Sequence, residues 1–327
     1  MVNSVPIKHR LVFVSGICGS GKSTVTQELA FQLMQNGYNV KWMHEECKNN
    51  PLRGTKKNLK KSGCTNLARY FDWTIDIWKS FIDVLRQDDR LYVVDGYIFQ
   101  STVLNLFNDG YSSEIIQEYF DRFARIINPA KPLVINLFRA DILESFRNTW
   151  KQRGNEWKKI SIDIPTELPE QDIDYRYYEE KGIAAWKDLQ ELNSKLLETS
   201  VLKYIRINTA KQQWPQYYRR IAGELGFLPV QIETVRIADN RIYCGEYSCE
   251  SKKKRVIVKS IDNKLYCEIF FPFMRLIPDS DSHFHIRGLP INIVFHSDES
   301  GMMKSFVFVD DYDWGLTGAL FARKYAG

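Results

Sequence analysis

Residues 11–30 read LVFVSGICGSGKSTVTQELA. Gly16, Gly21, Lys22 and Ser23 fill the spacing G-x-x-x-x-G-K-[ST], and Gly19 adds a third glycine within it. Glycines admit backbone conformations that a Cβ forbids, so successive N–H groups can turn inward as an anion nest. A helix that starts there adds its positive N-terminal end. In that arrangement Lys22 would reach the β- and γ-phosphates of a nucleotide, and Ser23 would hold Mg²⁺ through its hydroxyl. The expected cofactors are therefore ATP and Mg²⁺, gripped by Gly16, Gly19, Ser20, Gly21, Lys22, Ser23 and Thr24. Cys18 reads as a small loop residue. The context agrees: an apolar run at 11–14 precedes the loop, and Val25, Leu29, Ala30 and Leu33 follow at helical spacing.

Other residues have types suited to chemistry on a phosphate. In WMHEECKNNP, Glu45 and Glu46 directly follow an apolar stretch. A carboxylate there can take the proton of an attacking hydroxyl or hold a metal-bound water. Adjacent residues on an extended chain point opposite ways, so the two cannot face a cleft equally, and Glu45 is preferred. Two solvated loop acids are the alternative. Asp95 ends the apolar run in LYVVDGY, where phosphate-loop enzymes place a Mg²⁺ carboxylate; it could instead be a turn residue before Gly96. The stretch LFRADILESFRNTWKQRGNEW places Arg139 after a strand, Arg147 and Lys151 four apart on one helix face, and Arg153 before Gly154. Cations closing over a transferring phosphoryl group stabilise its charge and exclude water, which gives Arg147 and Arg153 a catalytic role. A solvated basic helix is the plainer reading. Arg69 and Trp73 fall off the main apolar face of their helix and, with Glu46 and Arg139, make the expected acceptor-binding set. Asn208, in RINTA after the last strand, could meet the nucleotide base.

These residues need a scaffold, and the chain supplies one in alternation. Strands are expected at 10–15, 39–43, 91–95, 132–138 and 202–207, with helices between them. The clearest helices are 66–87 and 113–127, each with one apolar face. Such alternation implies an α/β fold: a five-stranded parallel sheet covered on both faces, with ligands at the carboxyl ends of its strands. After Gly226 helical periodicity stops. Short strand patterns follow at 240–248, 254–260, 263–271, 283–287, 290–296 and 303–309, separated by turns such as Asp262-Asn263. The expected domains are 1–226 and an all-β barrel or sandwich at 227–327.

Composition narrows the classes. Charged residues make up 26% and the net charge is +5, which does not by itself argue for nucleic acid. No stretch approaches a membrane span, and the first 30 residues lack a signal-peptide pattern. The cysteines at 18, 47, 64, 244, 249 and 267 have no metal spacing and read as reduced thiols, so a cytoplasmic location is expected. The basic runs RGTKKNLKK (53–61) and KKKR (252–255) read as solvated segments. His283 and His285 share one strand face near His296, but a metal site needs more ligands.

On the phosphate loop, the acids after the second strand, Asp95 and INLFRADILESFRNTWKQRG, residues 9–226 resemble the thymidylate kinase and deoxynucleoside kinase group. That resemblance implies a P-loop kinase fold and phosphoryl transfer to a small molecule. Two positions depart from it: Gly96-Tyr97 follows Asp95 where thymidylate kinases carry Arg, and Glu46-Cys47 follows Glu45 where deoxynucleoside kinases carry Pro. Overall the chain looks most like bacterial thymidylate-kinase-like ATPases. The tail, through GEY, NKLY and RGLPINIVFH, resembles the small β-barrel appended to some β-lactamase-like serine hydrolases, where its role is accessory. The leading reading is a small-molecule kinase with a nucleoside, nucleotide or antibiotic-like acceptor. The rival is a nucleotide-dependent regulatory protein whose β-module contacts a partner. Phosphorylation of nucleic-acid ends would need a continuous basic channel, and the two lysine runs lie in different domains. A homodimer is compatible with the sequence.

Overall fold

The computed structural model describes residues 7–45, 47, 50–230, 232, 235–309 and 315–324; Glu46 lies outside them. Within these residues the chain forms a five-stranded parallel α/β sheet and an eight-stranded antiparallel β-barrel.

The α/β part runs β1 (Leu11–Gly16), α1 (Lys22–Gln35), β2 (Val40–Met43), α2 (Leu59–Ser62), α3 (Leu67–Gln87), β3 (Leu91–Asp95), α4 (Thr102–Asn108), α5 (Ser113–Ile127), β4 (Leu133–Phe138), α6 (Ile142–Arg153), α7 (Asn155–Ser161), α8 (Tyr175–Glu198), β5 (Lys203–Asn208) and α9 (Trp214–Leu225). The strand order is β2-β3-β1-β4-β5, and every neighbouring pair is parallel. β1 is buried along its whole length, as a central strand covered on both faces must be. Its alternate residues feed two cores. Leu11 and Phe13 join Trp78 and Phe81 of α3 and Phe120 and Phe123 of α5. Val12 and Val14 join Val25, Leu29 and Leu33 of α1 and Ile221 and Leu225 of α9. Asn66 caps α3 by accepting from the Arg69 N–H (2.9 Å), and the apolar face anticipated from the sequence is buried from Tyr70 to Leu85.

The parallel register fixes what the strand ends can share. Met43 is level with Val94, Val14 with Asp95, Gly16 with Leu137, and Phe138 with Asn208. All five carboxyl ends therefore lie along one edge. From β1 the chain turns toward β2, and from β3 it turns toward β4 on the other side. The loops after β1 and β3 part in opposite directions, which is the crevice where open α/β sheets bind ligands.

The barrel strands are β6 (Gly245–Cys249), β7 (Lys254–Ile261), β8 (Lys264–Glu268), β9 (Met274–Pro278), β10 (His283–Ile286), β11 (Asn292–Ser297), β12 (Met303–Val309) and β13 (Leu320–Arg323). Pairing of β9 with β10 closes the circuit, so no strand edge is left open. Asp262 and Asn263, both with positive φ (48° and 56°), make the two-residue turn between β7 and β8. The sequence reading of a strand over 263–271 stops short here: β8 ends at Glu268. β9 and β13, which had no expectation of their own, complete the barrel. Residues 240–242 form a 3₁₀ turn rather than the start of a strand.

The barrel core is aromatic. Phe306 is fully buried, stacks on Phe321 (centroids 5.0 Å apart, planes 4° apart) and meets Phe308, Tyr247 and Phe295. Phe306→Ala is expected to destabilise the barrel by about 3–5 kcal/mol, measurable as a lowered midpoint in urea denaturation of the full chain; an unchanged midpoint would contradict this packing.

Chain contacts divide the molecule into two compact units: 1–45, 49–146 and 162–231 in one, 46–48, 147–161 and 232–327 in the other. The division passes through α6, so Arg147–Ser161 is grouped with the barrel. No helix among the described residues is long and apolar enough to cross a membrane.

Candidate active site

The turn between β1 and α1 is built by glycine. Gly16, Gly19 and Gly21 have φ of 147°, 75° and 94°, conformations that cost little only without a Cβ. Space agrees: a Cβ on Gly16 would come within 2.2 Å of the Leu137 carbonyl oxygen, and one on Gly21 within 2.7 Å of Trp214. α1 begins at Lys22 with no side-chain cap and no acid in its first turn, which leaves its first N–H groups to an anion. Thr24 is half-buried in that turn. Ser20 is buried, and its Oγ has no hydrogen-bond partner. Thr209, just past β5, donates from Oγ1 to the Ser20 carbonyl (3.0 Å) and from its N–H to the Phe138 carbonyl (3.0 Å), tying the turn to the ends of β4 and β5. Lys22 Nζ donates to the Ile17 carbonyl at 3.0 Å.

Two carboxylates stand beside this turn. Asp95, 1% exposed, ends β3 level with Val14. Its Oδ2 has no hydrogen-bond partner and lies 3.5 Å from Nε2 of buried His44. Burial pushes the pKa of Asp95 up; His44, Lys22 and Ser23 pull against that, while Glu45 adds to it. Glu45 is half-buried and pairs with Lys56 at 3.1 Å. Burial raises its pKa too, but Lys56, Lys22 and His44 outweigh burial and hold it below the usual 4.5. Glu45 is thus ionised at neutral pH, and its contact with Lys56 contributes stability that is lost as pH falls through the depressed pKa. Lys56→Ala is expected to raise that pKa. If Glu45 is the proton acceptor, the acid limb of kcat/KM then moves to higher pH; an unmoved limb would remove Glu45 from that role.

The backbone around the acids is held by the segment after β3. Tyr97 is fully buried with φ of 64°, unusual for a bulky side chain. Its hydroxyl donates to the Glu45 carbonyl (3.0 Å), and Gln100 Nε2 donates to the Gly16 carbonyl. Asn50 Nδ2 donates to the His44 carbonyl at 3.1 Å. One short segment therefore positions both the glycine turn and the acid after β2, and it occupies the place where an arginine was the family expectation.

The remaining expected residues are distributed differently. Arg139 is buried at the end of β4, forks onto Asp141 (2.9 and 3.1 Å), and exchanges backbone hydrogen bonds with the Gln190 side chain (3.0 Å each). Arg69 is exposed, with Nη1 3.4 Å from Thr65 Oγ1. Trp73 leans on Tyr70 (centroids 6.1 Å apart) and on the turn at Gly54. Asn208 is exposed, and its Oδ1 accepts from the Ala210 N–H (3.0 Å), a local turn. Arg147 is exposed and Arg153 half-buried, and both belong to the unit containing the barrel. His44 and Gln100 had no expectation, and Thr209 was read only as part of the RINTA turn. Lys56, read as part of the solvated run 53–61, is instead half-buried against Glu45 because the carboxylate pairs with its ammonium. His44 carried a legible signal, a histidine directly before Glu45 just past β2, whereas Lys56 reaches Glu45 from the separate 3₁₀ turn Arg53–Lys56. Gln100 and Thr209 act through distant backbone carbonyls. In the barrel, His285 Nδ1 pairs with Asp279 at 2.9 Å, and no group of three or more His, Cys, Asp or Glu among the described residues is arranged to hold a metal.

No protein-family model matches the sequence, and no curated protein matches it either. The strand order and the glycine turn at the carboxyl edge are compatible with a P-loop NTPase-like domain. The residues present suit Mg²⁺-nucleotide: a glycine cradle that a Cβ would fill, and a buried Asp95 oxygen without a hydrogen-bond partner beside Ser23.

Proposed function

We propose that the α/β unit transfers a phosphoryl group from ATP to a hydroxyl or phosphate of a small molecule. The observation that carries this reading is the gathering of Glu45 and Asp95 around Lys22 at the mouth of the glycine turn, so that each acid's ionisation is set partly by that lysine. The turn would bind the phosphates through its N–H groups and Lys22. Ser23 and Asp95 would hold Mg²⁺, directly or through water, and when bound the ion supplies neutralising charge to the phosphates. Glu45, kept ionised by Lys56, would orient the acceptor or take its proton, with Asp95 the other base to test. Phosphoryl transfer asks mainly for positioning and electrostatic stabilisation, and these residues supply both without a covalent intermediate. The resemblance to thymidylate and deoxynucleoside kinases supports the same chemistry, with Arg147 and Arg153 as cations for the transferring group.

One observation favours the regulatory reading as a second choice. Arg153 already stacks between Trp157 and Phe271 within the barrel's unit, with its guanidinium 4.9 and 5.1 Å from the two ring centroids. A segment engaged there is suited to carrying a signal rather than to closing on a phosphate. Incubation of the full chain with ATP and Mg²⁺ and a panel of nucleosides, nucleotides and aminoglycosides separates the two. A phosphorylated product identified by mass supports the kinase. Hydrolysis to ADP with every acceptor unmodified would favour the switch.

A further inference from the structure

The segment Arg147–Ser161 carries Arg147, Lys151, Arg153, Lys158 and Lys159 against one acid, Glu156. It is packed on the barrel's β8–β9 connection: a Cβ on Gly154 would come 3.3 Å from Pro272 Cγ, and Arg153 stacks on Phe271. The rings continue from there. Phe273 is 40% exposed, meets Tyr266 edge-on at 6.4 Å, and has the Lys259 ammonium 4.5 Å from its centroid.

The register places these groups on one wall. Lys259 is level with Tyr266, and Tyr266 with Arg275, across β7, β8 and β9. The alternate residues Val258, Cys267, Met274 and Leu276 are buried in the barrel core, so the row faces outward. Arg287, just past β10, donates its N–H to the Arg275 carbonyl at 2.9 Å and extends the row.

The charges on this wall are not balanced. Lys259 is paired with Glu268. Arg275 and Arg287 form no ion pair among the described residues. Nε of Arg275 is buried without a hydrogen-bond partner. Burial, and then the neighbouring Arg287, push the pKa of Arg275 down. Two adjacent guanidiniums with no carboxylate between them attract a phosphate, whose oxygens can satisfy several N–H donors at once. Beside them stand aromatic rings that a flat base can cover. A duplex hides the faces of its bases and would leave those rings idle, whereas a single strand presents both phosphates and base faces.

We propose that this outer wall of the barrel binds single-stranded nucleic acid, with phosphates on Arg275 and Arg287 and bases stacked on Phe273 and Tyr266. The site lies wholly within the second unit and does not depend on the chemistry assigned to the first.

The test is fluorescence anisotropy of a labelled oligo-dT, about 20 nucleotides long so that it exceeds one barrel's expected footprint, titrated with the full chain at several salt concentrations. Binding is expected to weaken as salt rises. Replacing both Arg275 and Arg287 by Ala should flatten the log–log salt dependence by about 1.4, at roughly 0.7 per single-strand phosphate contact. Phe273→Ala should weaken binding about 5–10-fold at fixed salt, with the slope unchanged. If the double variant does not fold, exposed Arg287→Gln alone should flatten the slope by about 0.7. Lys22→Ala should bind the oligonucleotide like the wild type. The proposal is overturned by absence of binding at low salt, by variants that bind normally, by equal affinity for duplex or polyphosphate, or by loss of binding in Lys22→Ala.

Discussion

Lys22→Ala is expected to lower ATP turnover by roughly 10²–10³-fold, the scale of losing one preorganised donor from a transition state. The side chain is half-buried at the start of α1, and its ammonium bonds only to the Ile17 carbonyl among the described contacts (3.0 Å). Its removal deletes a charge rather than a core contact, so the thermal unfolding of the chain should stay close to wild type. The same lysine favours ionisation of both Glu45 and Asp95, so its loss should also raise the pKa of each acid. Normal turnover in the folded variant would show that residues 16–24 are a structural turn and nothing more.

Asp95→Asn should separate activity from stability. Burial raises the pKa of Asp95 above 3.8, so the folded protein holds this proton more tightly than the unfolded chain does. Stability contributed by the group is then greatest at low pH and declines as pH rises through the folded pKa. An amide of the same shape escapes that cost. The variant is therefore expected to melt at or above the wild-type temperature in chelator at neutral pH, with its advantage shrinking as pH falls toward 3.8. Mg²⁺-dependent turnover should fall by about 10² or more, as for loss of a charge placed to act in the transition state. Stability kept back at a functional site is a common exchange. A variant that melts lower at neutral pH but higher in acid would reverse the sign and contradict the upward shift that burial gives Asp95.

The sequence carried most of the first unit because its elements announce themselves locally. LVFVSG and LYVVD are fully buried strands and read as apolar runs, and α3 buries the face that its periodicity marks. Glu45 and Asp95 were legible because they follow such runs directly. Less legible were the groups that reach the turn from a distance. Gln100 and Thr209 bond to backbone carbonyls 84 and 189 residues away, and no local pattern encodes such a contact. Tyr97 looks like a core aromatic, yet its left-handed backbone is what aims its hydroxyl at Glu45. In the barrel, β9 follows Pro272 closely and itself ends on Pro278, which masks it as a strand, and β13 is only four residues long. Closure needs both, but it is a property of the whole circuit rather than of any one segment. The basic character of 147–161 was visible; its grouping with the barrel came from Arg153 meeting Phe271 and Gly154 meeting Pro272, contacts made more than a hundred residues along the chain.

Calorimetric titration of the full chain with ATP, in Mg²⁺ and in chelator, tests the phosphate-binding site most directly. The expected result is one nucleotide per chain, bound more tightly with Mg²⁺ and lost or severely weakened in Lys22→Ala. Absence of binding at millimolar ATP, or equal affinity in wild type and Lys22→Ala, would contradict the assignment of the glycine turn and with it the phosphoryl-transfer reading.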